Sequence, residues 1–167
     1  VPHRHGRAGA YTIETNTYGA NRLKLRSVGI ENELRAINER GAALAREAAG
    51  DAVFVAGAIG PLGIRIEPYG PTSLAEAREY FREQAAALRD AGVDLFVLET
   101  MSNIAEIEQA IAAIRATCPL PLLAQMTIGH DRRPVSGGPP PPAPPPHAPA
   151  RAAPHGPHSP APRGDLL

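Results

Sequence analysis

The sequence predicts an α/β fold built on a parallel sheet, and three observations predict it. Four apolar, strand-forming runs, near residues 10–18, 52–56, 93–98 and 120–127, recur roughly every 40 residues. Each of the first three is followed by a stretch of helical periodicity, the alternation expected of right-handed βαβ units. The strand ends also carry polar or glycine residues (Asn16, Gly57, Glu99 and Gln125), and in parallel sheets functional groups collect just past the carboxyl ends of the strands.

The first strand covers residues 10–18, which have the β-branched content of a strand and finish in a cluster of small polar side chains. Asn16 and Thr17 are placed at its carboxyl end. The first helix is read from Leu34, Ile37, Gly41, Leu44 and Ala48, with Gly50 as its stop. The second strand, residues 52–56, runs into a turn containing Gly57, Gly60 and Gly63, where backbone can approach a ligand closely.

Ser73 and Glu76 form a capping-box pattern, after which Leu74, Ala77, Phe81, Ala85 and Leu88 trace a helical face that Gly92 ends. The third strand, residues 93–98, is a run of apolar, strand-forming residues that stops abruptly at Glu99. Asn103 and Glu106 repeat the capping pattern ahead of Ile104, Ile107, Ile111 and Ile114, a stripe that needs a sheet to cover. Pro121 suits only the first residue of the fourth strand. Pattern alone leaves a small open sheet and a part of a (β/α)8 barrel equally open.

Composition divides the chain. Of its 19 prolines, 13 lie in residues 134–167, so residues 1–133 are read as the folding part and 134–167 as a Pro-, Ala- and His-rich tail expected to be disordered. Residues 1–133 carry 15 Lys plus Arg against 16 Asp plus Glu, which leaves no basic field for a nucleic acid. A single cysteine, Cys118, excludes a disulfide framework within one chain. Without an apolar run of membrane-spanning length or a secretory segment, no membrane partner is expected and the cytoplasm is the expected location.

Read together, residues 13–23 (Ile-Glu-Thr-Asn-Thr-Tyr-Gly-Ala-Asn-Arg-Leu), 55–61 (Val-Ala-Gly-Ala-Ile-Gly-Pro) and 94–101 (Asp-Leu-Phe-Val-Leu-Glu-Thr-Met) resemble the homocysteine S-methyltransferase family. Three motifs in order, with the stretch 124–127 in support, extend the resemblance over residues 9–138. It implies a (β/α)8 TIM barrel, of which this chain would hold about the second to fifth strands. It also implies an S-methyltransferase activity that moves a methyl group from a donor to the thiol of homocysteine, giving methionine.

A thiol is mostly protonated at neutral pH, and a zinc ion can hold the sulfur as its anion. The resemblance implies such a zinc on three cysteines placed later in the barrel. Those three are absent here, so no bound metal and no methyl transfer are expected of the chain as it stands. The Asp-Gly-rich turn that opens the family's pattern is also absent. Low-complexity sequence replaces the helix expected after Gly138, which points to a shifted reading frame or a damaged gene end. The alternative is a non-catalytic remnant or interaction segment with a Pro-rich tail, able to self-associate through exposed barrel edges.

By the same resemblance Glu99 holds the amino group of homocysteine, whereas its bland reading is a solvated strand-end acid. Asn16 and Thr17 either line the same pocket or close a turn. Gly57, Gly60 and Gly63 do not make a dinucleotide fingerprint, since the spacing is wrong and Pro61 interrupts it. Cys118 reads as a small packed hydrophobe. His147, His155 and His158 lack the fixed geometry that a metal site requires.

Overall fold

The computed structural model describes residues 9–127. The proline-rich tail and the boundary drawn at residue 133 lie outside the described residues. Strands β1 (Thr12–Glu14), β2 (Phe54–Ile59), β3 (Leu95–Met101) and β4 (Leu122–Met126) alternate with helices α1 (Arg22–Arg26), α2 (Leu34–Ala49), α3 (Leu74–Asp90) and α4 (Ile104–Thr117). A 3-10 turn, Glu31–Glu33, leads into α2.

All strand pairs are parallel and the sheet order is β1-β2-β3-β4. This order decides between the two architectures left open by the pattern. A doubly wound sheet reverses strand order at a switch point, whereas right-handed crossovers in unbroken sequential order stack every helix on one face. The sheet is therefore an arc of a barrel wall, with α2, α3 and α4 side by side outside it.

The core lies between that helix layer and the sheet. Val55, Ile59, Phe96, Leu98 and Met101 from the strands meet Phe81, Leu88, Ile107 and Ile114 from the helices. Burying each such side chain contributes roughly 1.5–3 kcal/mol. Gly57 belongs to this face, since a Cβ there would come within 3.3 Å of Leu88 and Val93. The opposite face, by strand alternation, bears Glu14, Ala56, Ala58, Val97 and Glu99.

Several local expectations are corrected. β1 is only three residues long, so Asn16 and Thr17 sit in the turn beyond it. β2 runs on through Gly57 to Ile59, because its alternate small residues fit a wall buried on both sides. The turn after β2 therefore starts at Gly60.

In α2 the buried stripe is Leu34, Asn38, Ala42 and Ala45, while Leu44 is 46% exposed. The rotation has a polar cause. The Asn38 side-chain amide donates to the carbonyls of Ala20 (2.9 Å) and Leu34 (2.8 Å), drawing inward a residue that a hydrophobic pattern reads as outward. The helix α1, capped by the Asn21 side chain, was not legible, since five residues are too few for a periodic signal.

The capping box at Ser73 and Glu76 is present in full. The one expected at Asn103 and Glu106 is present by half. Asn103 accepts from the amides of Ala105 and Glu106, but the Glu106 side chain turns away into the interior. Pro121 stands one residue before β4, and its carbonyl accepts from Phe96 N–H at 2.9 Å.

Candidate functional site

The carboxyl ends of the strands are tied together by side chains. The Ala58 amide donates to Thr15 Oγ1 (3.0 Å), the Thr15 and Thr17 hydroxyls are 2.6 Å apart, and Thr17 Oγ1 donates to the Ala58 carbonyl at 2.8 Å. These bonds clip the end of β1 to β2. Thr17 is buried, and its methyl lies where a Cβ on Gly41 would stand, only 2.6 Å away. Glycine at 41 lets α2 approach this turn.

The next residue, Tyr18, lays its ring over Gly60, where a Cβ would come within 2.3 Å of it. Its carbonyl accepts from the Gly60 amide at 3.1 Å. On the ring stands the Lys24 ammonium, 4.4 Å from the centroid, a cation–π contact. Lys24 is the only lysine in the chain.

Glu106, on the first turn of α4, is 5% exposed, and its Oε1 accepts from the Leu62 amide at 2.8 Å. Burial pushes its pKa up, against the pull of that amide and of Lys24. Burial in turn pushes the Lys24 pKa down, with Glu106 opposing. The turns after β1, β2 and β3 are thus held together by one partly desolvated polar cluster.

Glu99 stands at the end of β3, half-buried on the face opposite the helices. Burial raises its pKa, and the negative charge of Glu14 on β1 raises it further. Two carboxylates on one face, with only Ala56 and Ala58 from the strand between, favour a cationic ligand group. Thr100 follows with φ 58°, in the left-handed region that a β-branched residue seldom enters. Here the ladder to β4 is irregular: Leu98 pairs with Ala124, and Met101 with Met126. Three steps on β3 against two on β4 make a one-residue bulge.

Of the residues singled out from the sequence, Glu99 and Thr17 lie at the same end of the sheet, Thr17 inside the β1–β2 clip and Glu99 on the face opposite the helices. Asn16 is exposed in the same turn as Thr17, and Gln125 is exposed on β4. Sequence reasoning missed Glu14, Tyr18, Lys24, Thr100 and Glu106 as parts of this end. Glu14 was accessible to it, being two residues from Thr12 on the face that Ile13 does not share. A surface hollow of about 500 Å³ bordered by α1, α2 and α3, lined by Arg22, Arg35, Tyr80 and Glu83 among others, draws on none of these strand ends.

The zinc implied by the resemblance does not fit the residues described. Cys118 closes α4 where the chain turns towards the amino end of β4, at the opposite end of the sheet from Glu99. No group of three His, Cys, Asp or Glu side chains suited to a metal occurs among the described residues.

A parallel sheet wound in one sense, with polar side chains gathered past its carboxyl ends, is the architecture of a (β/α)8-barrel enzyme, present here as a four-strand arc. Comparison with known proteins narrows the class. The homocysteine S-methyltransferase family profile matches residues 2–143, and the chain belongs to that family.

Methionine synthase of Mycobacterium tuberculosis is 30% identical over 132 residues, covering 72% of this chain and 11% of that protein. Methionine synthase of Mycobacterium leprae is 29% identical over 121 residues. Among solved structures, the oxidized form of the homocysteine methyltransferase MmuM from Escherichia coli superposes with a TM-score of 0.71 at 28% identity, over 83% of this chain and 53% of that one. Its apo form gives a TM-score of 0.56 at 26% identity. The chain thus spans about half of these structures and about a tenth of the two synthases.

Proposed function

We propose that this chain supplies part of the homocysteine-binding wall of a methyltransferase that moves a methyl group from a donor onto the homocysteine sulfur to give methionine. The observation that carries the reading is Glu99, half-buried at the carboxyl end of β3 beside the charge of Glu14. Its carboxylate holds the substrate ammonium, which offsets the repulsion between the two acids and replaces water with a charge-assisted hydrogen bond. Asn16 lines the same pocket, and Thr17 shapes its wall through the clip to Ala58.

The chain's own residues bind and orient; they do not generate the thiolate. The one cysteine lies at the opposite end of the sheet from Glu99, and among the described residues no metal-suited group is present to hold as its anion a thiol that is mostly protonated at neutral pH. The 167-residue chain therefore takes up no stoichiometric zinc and turns over no methyl donor. Metal analysis and a methionine-formation assay test this, and stoichiometric zinc with turnover would overturn it. The cytoplasm is the proposed location; among the described residues no helix is long and apolar enough to cross a membrane.

A second reading is an interaction segment that pairs with a second copy of itself. Among the described residues the outer edges of β1 and β4 have no strand partner and Leu123 is half exposed, which supports it.

A further inference from the structure

We propose that Gln84 is a positioning residue: from the middle of α3 its side-chain amide sets the turn of residues 17–20, which presents Thr17 and Tyr18 at the carboxyl ends of the strands. The inference rests on the reading of those ends as the homocysteine-binding wall and names what fixes their first turn.

Gln84 is fully buried, on a helical face whose other buried members include Ala77, Phe81, Ala85 and Leu88, all apolar. Its Nε2 donates to the Thr17 carbonyl at 2.7 Å, 67 residues earlier in the chain, and to Asn38 Oδ1 at 3.3 Å. Both acceptors require the same nitrogen, which fixes the orientation of the amide. Asn38 on α2 donates in turn to the Ala20 carbonyl. The two ends of the turn, Thr17 and Ala20, are therefore held by side chains from two helices that are bonded to each other. Between those ends Tyr18 lays its ring over Gly60 and carries the Lys24 ammonium.

Hydrogen-bond satisfaction does not account for Gln84. The Thr17 carbonyl already accepts from the Ala20 amide at 2.9 Å, which closes the turn. Gln84 Oε1 is itself buried and has no partner among the described residues. An apolar side chain of the same length would remove that unpaired oxygen and would leave unpaired Asn38 Oδ1, which among the described residues accepts from Gln84 alone. One unpaired acceptor is exchanged for another, so stability has little use for the amide. What the amide adds is direction. A second bond on the Thr17 carbonyl, from the helix side, fixes the angle at which the turn leaves β1, and so where Tyr18 and Lys24 stand.

Lys24 is the only lysine, so the 167-residue chain labelled in lysine gives one side-chain signal that reports on the turn by NMR. In the parent the Tyr18 ring should displace the Lys24 ε-methylene resonance upfield, and Tyr18→Leu should abolish the displacement. Gln84→Met, which keeps length and bulk, should melt with the parent yet lose most of the displacement. If Gln84→Met does not fold, Gln84→Asn, which keeps the amide but shortens its reach, is read the same way. A displacement retained in these variants overturns the proposal, as does its absence from the parent. A melting temperature that falls in step with the lost displacement, or failure of both variants to fold, assigns Gln84 to stability alone and overturns it too. Unchanged homocysteine affinity on loss of Glu99 would instead overturn the substrate reading and leave the Lys24 result standing.

Discussion

The carboxylate of Glu106, on the first turn of α4, accepts a 2.8 Å hydrogen bond from the amide of Leu62, 44 residues earlier in the chain. A residue placed to close its own helix instead fixes the turn that follows β2. The turn so fixed is the one whose Gly60 carries the ring of Tyr18, and Tyr18 carries Lys24.

Loss of this bond has an expected size. Glu106→Ala leaves a buried amide unpaired and should destabilise the fold by about 1–3 kcal/mol, while Glu106→Gln, which keeps an acceptor, should cost less than half as much. Because burial raises the folded-state pKa of Glu106, the native state binds its proton more tightly than the unfolded chain. Stability from this group is therefore complete below the ordinary glutamate pKa and falls as pH rises through the raised one. Denaturant melts across that window should show the decline in the parent and its loss in Glu106→Gln.

The contact of Gly41 with Thr17 predicts a rescue. Gly41→Ala places a methyl 2.6 Å from Thr17 Cγ2 and should destabilise by about 1–3 kcal/mol. Thr17→Ser removes that methyl and keeps the hydroxyl that donates to Ala58, so the double variant should recover most of the loss. Additive losses in thermal melts would show that the two sites are independent.

Glu99→Gln keeps the shape and removes the charge that opposes the substrate ammonium. In a chain lengthened to include the three cysteines that the resemblance implies, homocysteine affinity should fall roughly ten- to a hundredfold, the equivalent of about 1.5–3 kcal/mol for a charge-assisted bond. Zinc content should be unchanged. An unaltered Michaelis constant for homocysteine would mean that Glu99 only ends a strand.

The edges of β1 and β4, without a strand partner among the described residues, predict concentration-dependent association of the 167-residue chain in size-exclusion chromatography. A monomer with a cooperative melt at all concentrations would show that the four-strand arc is self-sufficient.

Periodicity was enough to place the three long helices and four strands to within a few residues, because amphipathic repetition is a local property of the chain. The three motifs around Asn16, Gly57 and Glu99 carried the family, since short ordered motifs survive where overall identity is low. Composition marks residues 134–167 by 13 of the chain's 19 prolines.

Two things were beyond a local reading. Strand order, and with it the choice between an open sheet and a barrel wall, depends on which edges pair across some 40 residues of intervening chain, a matter of long-range packing. The roles of Asn38, Glu106 and Thr100 likewise depend on partners distant in sequence. Asn38 and Glu106 are buried polar residues whose side chains bond the Ala20 carbonyl and the Leu62 amide, 18 and 44 residues away, and Thr100 stands in a bulge that only the pairing of β3 with β4 reveals. The sequence by itself determined the elements and the family; tertiary structure decided which residues those elements bring to the same end of the sheet, because hydrogen-bond satisfaction in a buried turn is settled by neighbours in space.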